Sequence, residues 1–357
     1  MSTTLTCHTS ITLTYVDRLW YSDGMRGALI AGVMATACSA GGSDTGNGSD
    51  GAAPMIDAGS GAHGDAEADA PRSAIETCFP PSPNATKPHP NYDQFDPVVN
   101  ADCTGTNYQD ITGVERVVFL GDSITTGTPP TLPTDFYRSR VENAMRAKFG
   151  WLIDVQDCSN WGARTDDFLG PPHEQIHSCF SDVETRKTLI VMTMGGNDMS
   201  AIAKEAAEGD TPAQSMAKVD LALSHLEEAV TWLTDPAHFP NGSYVVFSNI
   251  YEFTDATGDL SSCPAASLAG FDAVAAPQMT PAYLHATEQY VRIAVEHHVD
   301  MVFALENFCG HGFHSDDPNS VCYRGPDTDR WFDLTCIHPN PTGHEALAGL
   351  FTTTIDK

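Results

Sequence analysis

The fold follows from one stretch of the chain, Arg116-Val-Val-Phe-Leu-Gly-Asp-Ser-Ile-Thr125. Residues 117–120 are a short, continuous apolar run, which is typical of a strand buried on both faces of a parallel sheet. The run ends at Gly121, and the hydroxyl of Ser123 follows two positions later. Ligands of open α/β sheets bind outside the carboxyl ends of the strands. The stretch therefore predicts a serine side chain displayed at a ligand-binding edge.

Further apolar runs and helical patterns alternate along the chain after this stretch. Four more strands are predicted at 151–155, 187–194, 243–250 and 300–304. Helices are predicted from near Asp135 and at 212–234, 281–297 and 341–352. In the 212–234 segment the apolar residues recur at steps of three and four, so that one face of the helix packs on the sheet. This alternation predicts an α/β fold, a three-layer α/β/α sandwich with a flavodoxin-like, mostly parallel sheet of about five strands.

The first 38 residues are predicted to be an N-terminal extension followed by a signal peptide. Arg26 precedes the apolar run 27–37, which is too short to span a bilayer but suits the apolar region of a signal peptide. Small residues directly before Cys38 resemble the cleavage site of a bacterial lipoprotein. The alternative is an ordinary secretory signal cleaved nearby. In both cases Met25 is the expected start of the protein.

Composition divides the remainder into a linker and a folded domain. Residues 39–72 are rich in Gly, Ala, Ser and Asp, and we predict a disordered linker because they bury too little apolar surface. Residues 73–357 are the predicted catalytic domain. The balance of 18 Lys and Arg against 47 Asp and Glu gives a net charge of −29, which argues against binding nucleic acid through charge. We expect an exported monomer, extracellular or in the cell envelope, tethered to a membrane through lipidated Cys38.

The cysteines indicate disulfide bonds. Eight of the ten lie beyond the linker, at positions 78, 103, 158, 179, 263, 309, 322 and 336. Their even number and wide spacing, after a signal peptide, favour disulfides over metal ligands. We predict sequential pairing: 78–103, 158–179, 263–309 and 322–336.

Candidate catalytic residues lie on several predicted loops. Acyl transfer by serine needs a nucleophile, a base, a group that orients the base, and donors for the oxyanion. Ser123 is the predicted nucleophile, and His338, directly before the last helix, is the predicted base. The loops after the second and third strands offer the backbone N–H of Gly162 and the side-chain amide of Asn197, which together with the Ser123 N–H would form an oxyanion hole.

Four short blocks carry a family resemblance. They occur in the order Gly121-Asp-Ser-Ile-Thr125, Asn160-Trp-Gly162, Gly195-Gly-Asn-Asp198 and His338-Pro339. In this order and spacing they resemble the SGNH/GDSL hydrolase superfamily of esterases and lipases, over about residues 115–352. The resemblance implies that Ser123 is the nucleophile, Gly162 and Asn197 are oxyanion donors, and His338 is the base. It also implies no metal, no organic cofactor, and cleavage of esters of lipids, sugars or small acyl donors.

The residue that orients the base departs from the family pattern. The family usually places an aspartate three residues before the catalytic histidine, and Thr335 occupies that position here. The nearest carboxylate belongs to Asp333, five residues before His338. Either Asp333 reaches the imidazole because the linkage at Cys336 distorts the loop, or a backbone carbonyl orients the ring and the site is a Ser–His dyad. We predict that Asp333 is the acid of the triad.

The predicted function is hydrolysis of carboxylic esters through an acyl-enzyme intermediate, on a small-molecule, lipid or glycan ester. A carbohydrate O-acetyl esterase or a transacylase would use the same residues. A protein of a different class, a surface-anchored binding module that has lost turnover, is the other alternative, and Thr335 is its only sequence hint. Trp161 and Tyr251 either line the substrate pocket or belong to the core.

Overall fold

A computed structural model of the chain describes residues 103–251, 253–257, 263, 265 and 279–357. The predicted signal peptide, linker and Cys78 lie outside these residues. No described helix is both long and apolar enough to cross a membrane.

Among the described residues, five strands form a parallel sheet. They are β1 (Arg116–Gly121), β2 (Asp154–Asp157), β3 (Thr188–Thr193), β4 (Ser243–Ser248) and β5 (Asp300–Val302). The spatial order is β2-β1-β3-β4-β5, and every neighbouring pair is parallel. This is the flavodoxin-like order, so the predicted fold is confirmed. After β1 the chain forms β2 on one side of β1 and then β3 on the other side. Because ligands of such sheets bind where the strand order reverses, the expected binding crevice is at the carboxyl ends of β1 and β3.

Helices cover both faces of the sheet. In the described part of the chain they are α1 (Ser123–Thr126), α2 (Tyr137–Phe149), α3 (Gln175–Cys179), α4 (Gly196–Glu208), α5 (Pro212–Thr234), α6 (Thr280–His297), α7 (Ala304–Phe308) and α8 (Pro341–Ile355). Helix α5 has the predicted bounds. Thr211 and Gln214 bond reciprocally across its first turn, and Pro212 opens it, which are strong start signals.

The alternation of side chains along β1 separates two apolar cores. Val118 and Leu120 face a core that is shared with α3, α4, α5 and α6. Val117 and Phe119 face the opposite core, which is shared with α2, α7 and α8. Successive side chains of a strand point to opposite faces, so a strand that is buried on both faces must be apolar throughout. The three-layer arrangement follows.

The second strand differs from its prediction. The apolar run 151–155 predicts its start at Trp151, whereas β2 begins at Asp154, which pairs with Arg116. Trp151 is 70% exposed and Leu152 is 100% exposed. β2 is an edge strand, and its polar side chains remain partly in solvent. The apolar character of residues 151–153 therefore places the predicted start of β2 too early.

The disulfides correct half of the predicted pairing. The bond Cys158–Cys179 is confirmed. The pairs 263–309 and 322–336 are wrong, because the structure forms Cys263–Cys336 and Cys309–Cys322. Cys309 and Cys322 lie close together on the connection between α7 and α8, and Cys336 instead meets the segment that follows β4. The pair 78–103 stays a prediction.

Gly121 allows β1 and β3 to end side by side. Its φ is 134°, a region that favours glycine, and a Cβ there would lie 2.2 Å from the carbonyl oxygen of Thr193. We expect Gly121→Ala to lower the free energy of unfolding by more than about 2 kcal/mol, because both backbone strain and a clash result. Denaturation in urea, followed by circular dichroism, measures this change.

The matched control is Gly349→Ala in α8, where a Cβ meets nothing within 4 Å. Alanine is favoured over glycine inside a helix, so this variant should gain about 0.5–1 kcal/mol. Equal unfolding midpoints for the two variants would contradict the constraint at Gly121.

Candidate active site

The turn after β1 presents Ser123. Ser123 is the first residue of α1, so its N–H has no acceptor within the helix. The buried Asp122 caps this helix, since its Oδ1 accepts from Ile124 N at 2.9 Å and from Thr193 Oγ1 at 3.0 Å. Burial raises the pKa of Asp122 to about 7. The turn is therefore held from both β1 and β3.

Gln175 clamps the end of β1 from the helix side. Its buried side chain accepts from Gly121 N at 2.8 Å and donates to Gly121 O at 2.9 Å. No local pattern in the sequence identifies this residue, which is 54 positions from Gly121. These two bonds fix Gly121, from which the turn that carries Ser123 departs.

The structure brings Ser123 and His338 together. Ser123 Oγ lies 2.9 Å from His338 Nε2. The loop 333–338 that carries the histidine is closed by a bond from Asp333 N to His338 O at 2.9 Å. Tyr251 also supports it, because its hydroxyl donates to Ile337 O at 2.6 Å. Tyr251 thus holds the backbone beside His338, a role that differs from both a pocket residue and a core aromatic.

Burial determines the charge of His338. It lowers the pKa of the imidazole to about 4, because the charged form loses its hydration. The ring is therefore neutral near pH 7, and Nε2 can accept a proton from Ser123.

The orienting group does not have the expected geometry. His338 Nδ1 lies 3.1 Å from Thr335 Oγ1. The Thr335 hydroxyl in turn donates to Asp333 Oδ1 at 2.5 Å. Asp333 is thus separated from the ring by one hydroxyl group instead of contacting it, and its role as the acid of a triad stays a prediction.

The predicted oxyanion donors lie on loops that are hydrogen-bonded to the turn that carries Ser123 and to each other. Asn160 N donates to Gly121 O at 2.9 Å, which brings the loop after β2 beside this turn. Asn197 Nδ2 donates to Ala163 O at 2.9 Å, and its amide group keeps a second hydrogen for another acceptor. Gly162 has φ 75°, and a Cβ there would meet nothing within 4 Å. Open space therefore lies in front of Gly162.

Two further contacts fix the loops after β2 and β3. The buried Asp198 accepts from Thr165 N at 3.1 Å and from Thr165 Oγ1 at 2.9 Å, and burial raises its pKa to about 6. Trp161 is 50% exposed, and its indole N–H donates to Gly127 O at 3.1 Å. Trp161 is therefore a surface residue beside the site, not a core aromatic. Over the described ranges, no group of three or more His, Cys, Asp or Glu side chains is arranged to hold a metal ion.

A strand-end serine hydrogen-bonded to a partly buried histidine, on a flavodoxin-like sheet, defines a hydrolase-like site. A sequence model of the GDSL-like lipase/acylhydrolase family matches residues 119–346, well over half of the chain. The chain belongs to this family. The match spans both the turn that carries Ser123 and the loop that carries His338.

Several solved structures are similar at low identity. Phospholipase A1 from Streptomyces albidoflavus NA297 is 16% identical with a TM-score of 0.44, over 68% of this chain and 99% of that one. The extracellular lipase of Streptomyces rimosus is 16% identical with a TM-score of 0.42, over 68% and 100%. A two-domain esterase active on acetylated mannans is 15% identical with a TM-score of 0.41, over 68% and 50%. A comparison with curated proteins gave no match.

We expect His338 to remain neutral down to about pH 4, because burial opposes its protonation. An unperturbed histidine titrates near 6.5. Nuclear magnetic resonance of the ¹⁵N-histidine-labelled protein measures the midpoint, and the signal missing from His338→Gln assigns it. A midpoint at 6.5 or above would contradict the burial argument.

Proposed function

We propose that the protein is a serine ester hydrolase that cleaves carboxylic esters through an acyl-enzyme intermediate. The observation that carries this proposal is the 2.9 Å contact between Ser123 Oγ and Nε2 of the partly buried His338. The contact lies at the end of β1, where ligands of this type of sheet bind. Membership of the GDSL-like family supports the same reaction.

The reaction has two halves. Ser123 Oγ attacks the ester carbonyl while His338 Nε2 takes the hydroxyl proton. The tetrahedral intermediate expels the alcohol, which receives this proton from His338, and the acyl group remains on Ser123. Water then attacks the acyl-enzyme in the same way, with His338 as base, and releases the carboxylic acid and the free serine.

Charge on the tetrahedral oxygen needs nearby donors. We assign this role to the N–H groups of Ser123 and Gly162 and to the remaining amide hydrogen of Asn197. Their loops are tied together by the contacts of Asn160 and Asn197 described above. Fixed donors stabilise this charge because they need little rearrangement during the reaction.

Exposed apolar side chains on the loops that carry the proposed site support an ester with an apolar part. Leu132, Trp161 and Leu334 are 62%, 50% and 77% exposed, and they lie on the loops that follow β1 and β2 and on the loop of His338. Such side chains would contact an acyl chain or an apolar alcohol. A carbohydrate O-acetyl esterase and a transacylase remain the alternatives with the same catalytic groups.

The first test is hydrolysis of p-nitrophenyl acetate and p-nitrophenyl octanoate by the full chain. We expect turnover of both esters and a higher kcat/KM for octanoate, because of the apolar surface. Ser123→Ala should lose at least about 10³-fold in kcat, since the nucleophile is removed. Mass spectrometry after treatment with a fluorophosphonate should show one adduct, on Ser123.

Ser224→Ala is the matched control, because Ser224 is exposed on α5 and its hydroxyl donates to Leu221 O. It should keep full activity. A higher kcat/KM for acetate would favour an acetyl esterase. No turnover and no adduct in a folded protein would favour the binding-module alternative.

We also infer that the protein is exported and tethered through Cys38. The apolar run 27–37 directly before this cysteine supports the inference. The three disulfides among the described residues are compatible with an oxidising compartment.

Expression in a bacterial host with radiolabelled palmitate tests the tether. We expect label on the wild-type chain and none on Cys38→Ser, since the modified thiol is removed. Cys7→Ser, which changes a cysteine ahead of Met25, should keep the label. Secretion of an unlabelled wild-type protein would instead support an ordinary secretory signal.

A further inference from the structure

We propose that Thr335 is a positioning residue of this site, whose hydroxyl transmits the orienting effect of Asp333 to His338 and so fixes the tautomer of the imidazole. The inference rests on the proposed ester hydrolysis for its kinetic consequences. Its geometry is independent of the substrate.

Four groups form one line of hydrogen bonds. Ser123 Oγ lies 2.9 Å from His338 Nε2, and His338 Nδ1 lies 3.1 Å from Thr335 Oγ1. Thr335 Oγ1 is 2.5 Å from Asp333 Oδ1. The hydroxyl therefore stands between the carboxylate and the ring.

The donor and acceptor capacities of these groups decide where the protons lie. An ionised carboxylate only accepts, so the single hydroxyl proton of Thr335 points to Asp333. Thr335 Oγ1 can then only accept from His338, which means that Nδ1 carries the ring proton. Nε2 is left bare, and it accepts from Ser123. This is the tautomer that a general base needs.

The surroundings of the Asp333 carboxylate favour donation of the Thr335 hydroxyl proton to it. Asp333 is 7% exposed, and its Oδ1 also accepts from Thr335 N at 2.7 Å. No described residue donates to its other oxygen, Oδ2. A buried carboxylate with few donors is a strong acceptor, because little else compensates its charge. The Thr335 hydroxyl is thereby kept pointing at Asp333.

The backbone fixes Thr335 between its two partners. Cys336 has φ 67°, and its N–H donates to Asp333 O at 3.0 Å. The bond Cys263–Cys336 holds this turn to the segment after β4. The position of the hydroxyl is therefore a property of a tight, anchored turn.

The kinetic test removes only the hydroxyl. We expect Thr335→Val, which has nearly the same shape, to lower kcat by about 100-fold or more, since loss of the correct tautomer in serine proteases costs about 10⁴-fold. Thr335→Ser keeps the hydroxyl and should retain activity within about threefold. Thr328→Val is the matched control, because Thr328 is on the same connection and its hydroxyl donates to Gly325 O at 3.0 Å.

A second set of variants tests whether Asp333 acts through Thr335. If it does, Asp333→Ala, Thr335→Val and the double variant should have similar kcat values, since each breaks the same line. Position 335 is already within reach of Nδ1, so Thr335→Asp combined with Asp333→Ala should recover most of the activity. Additive losses of kcat in the double variant, or no recovery of kcat in the combined variant, would contradict the proposal that Asp333 acts through Thr335.

Nuclear magnetic resonance tests the tautomer without any substrate. In ¹⁵N-histidine-labelled protein at pH 7, His338 should carry its proton on Nδ1, and Thr335→Val should shift the population towards Nε2. Thr335→Ser should restore it. An unchanged tautomer in a folded Thr335→Val protein would overturn the proposal, even if no ester were hydrolysed. The proposed function would still be supported in that case if Ser123→Ala lost turnover while Thr335→Val kept it.

Discussion

The parallel pairing of β1 with β3 is the constraint on which the rest of the site depends. Gly121 pairs with Thr193 at the end of this ladder. The backbones of the two strands come too close there for any side chain at position 121. Asp122 continues the contact, since its N–H donates to Thr193 O at 3.2 Å. The strand ends that precede Ser123 and Asn197 are therefore neighbours, because β1 and β3 are paired to their last residues. The proposed hydrolase site therefore lies at the point where the sheet order reverses.

Burial then adjusts the ionisable groups around this point in opposite directions. It raises the pKa of Asp122 to about 7 and of Asp198 to about 6, and it lowers the pKa of His338 to about 4. The physical cause is the same in each case, because loss of hydration disfavours the charged form. The carboxyl groups are tied to backbone and hydroxyl donors, where they organise loops. The imidazole of His338 is left neutral, as its proposed role of base requires.

The loop of His338 is built differently from the strand ends. It contains a left-handed residue, Cys336, and is anchored by a disulfide and by the Tyr251 hydroxyl. Its position is therefore set by side chains from the segment after β4. Thr335 lies in this anchored loop, where its hydroxyl stands between His338 and Asp333. The carboxylate of Asp333 lies behind it, two bonds of the hydrogen-bonded line away from the ring nitrogen.

The sequence by itself determined the α/β class, the bounds of α5 and the four blocks around Ser123, Gly162, Asn197 and His338, because apolar periodicity, caps and short motifs are local signals. Only the tertiary structure decided the start of β2, the clamp by Gln175, two of the disulfides and the hydroxyl between Asp333 and His338. Each of these depends on which distant side chains meet or on how much solvent reaches an edge. Loop backbone and strand order set those contacts, and no local period in the chain encodes them.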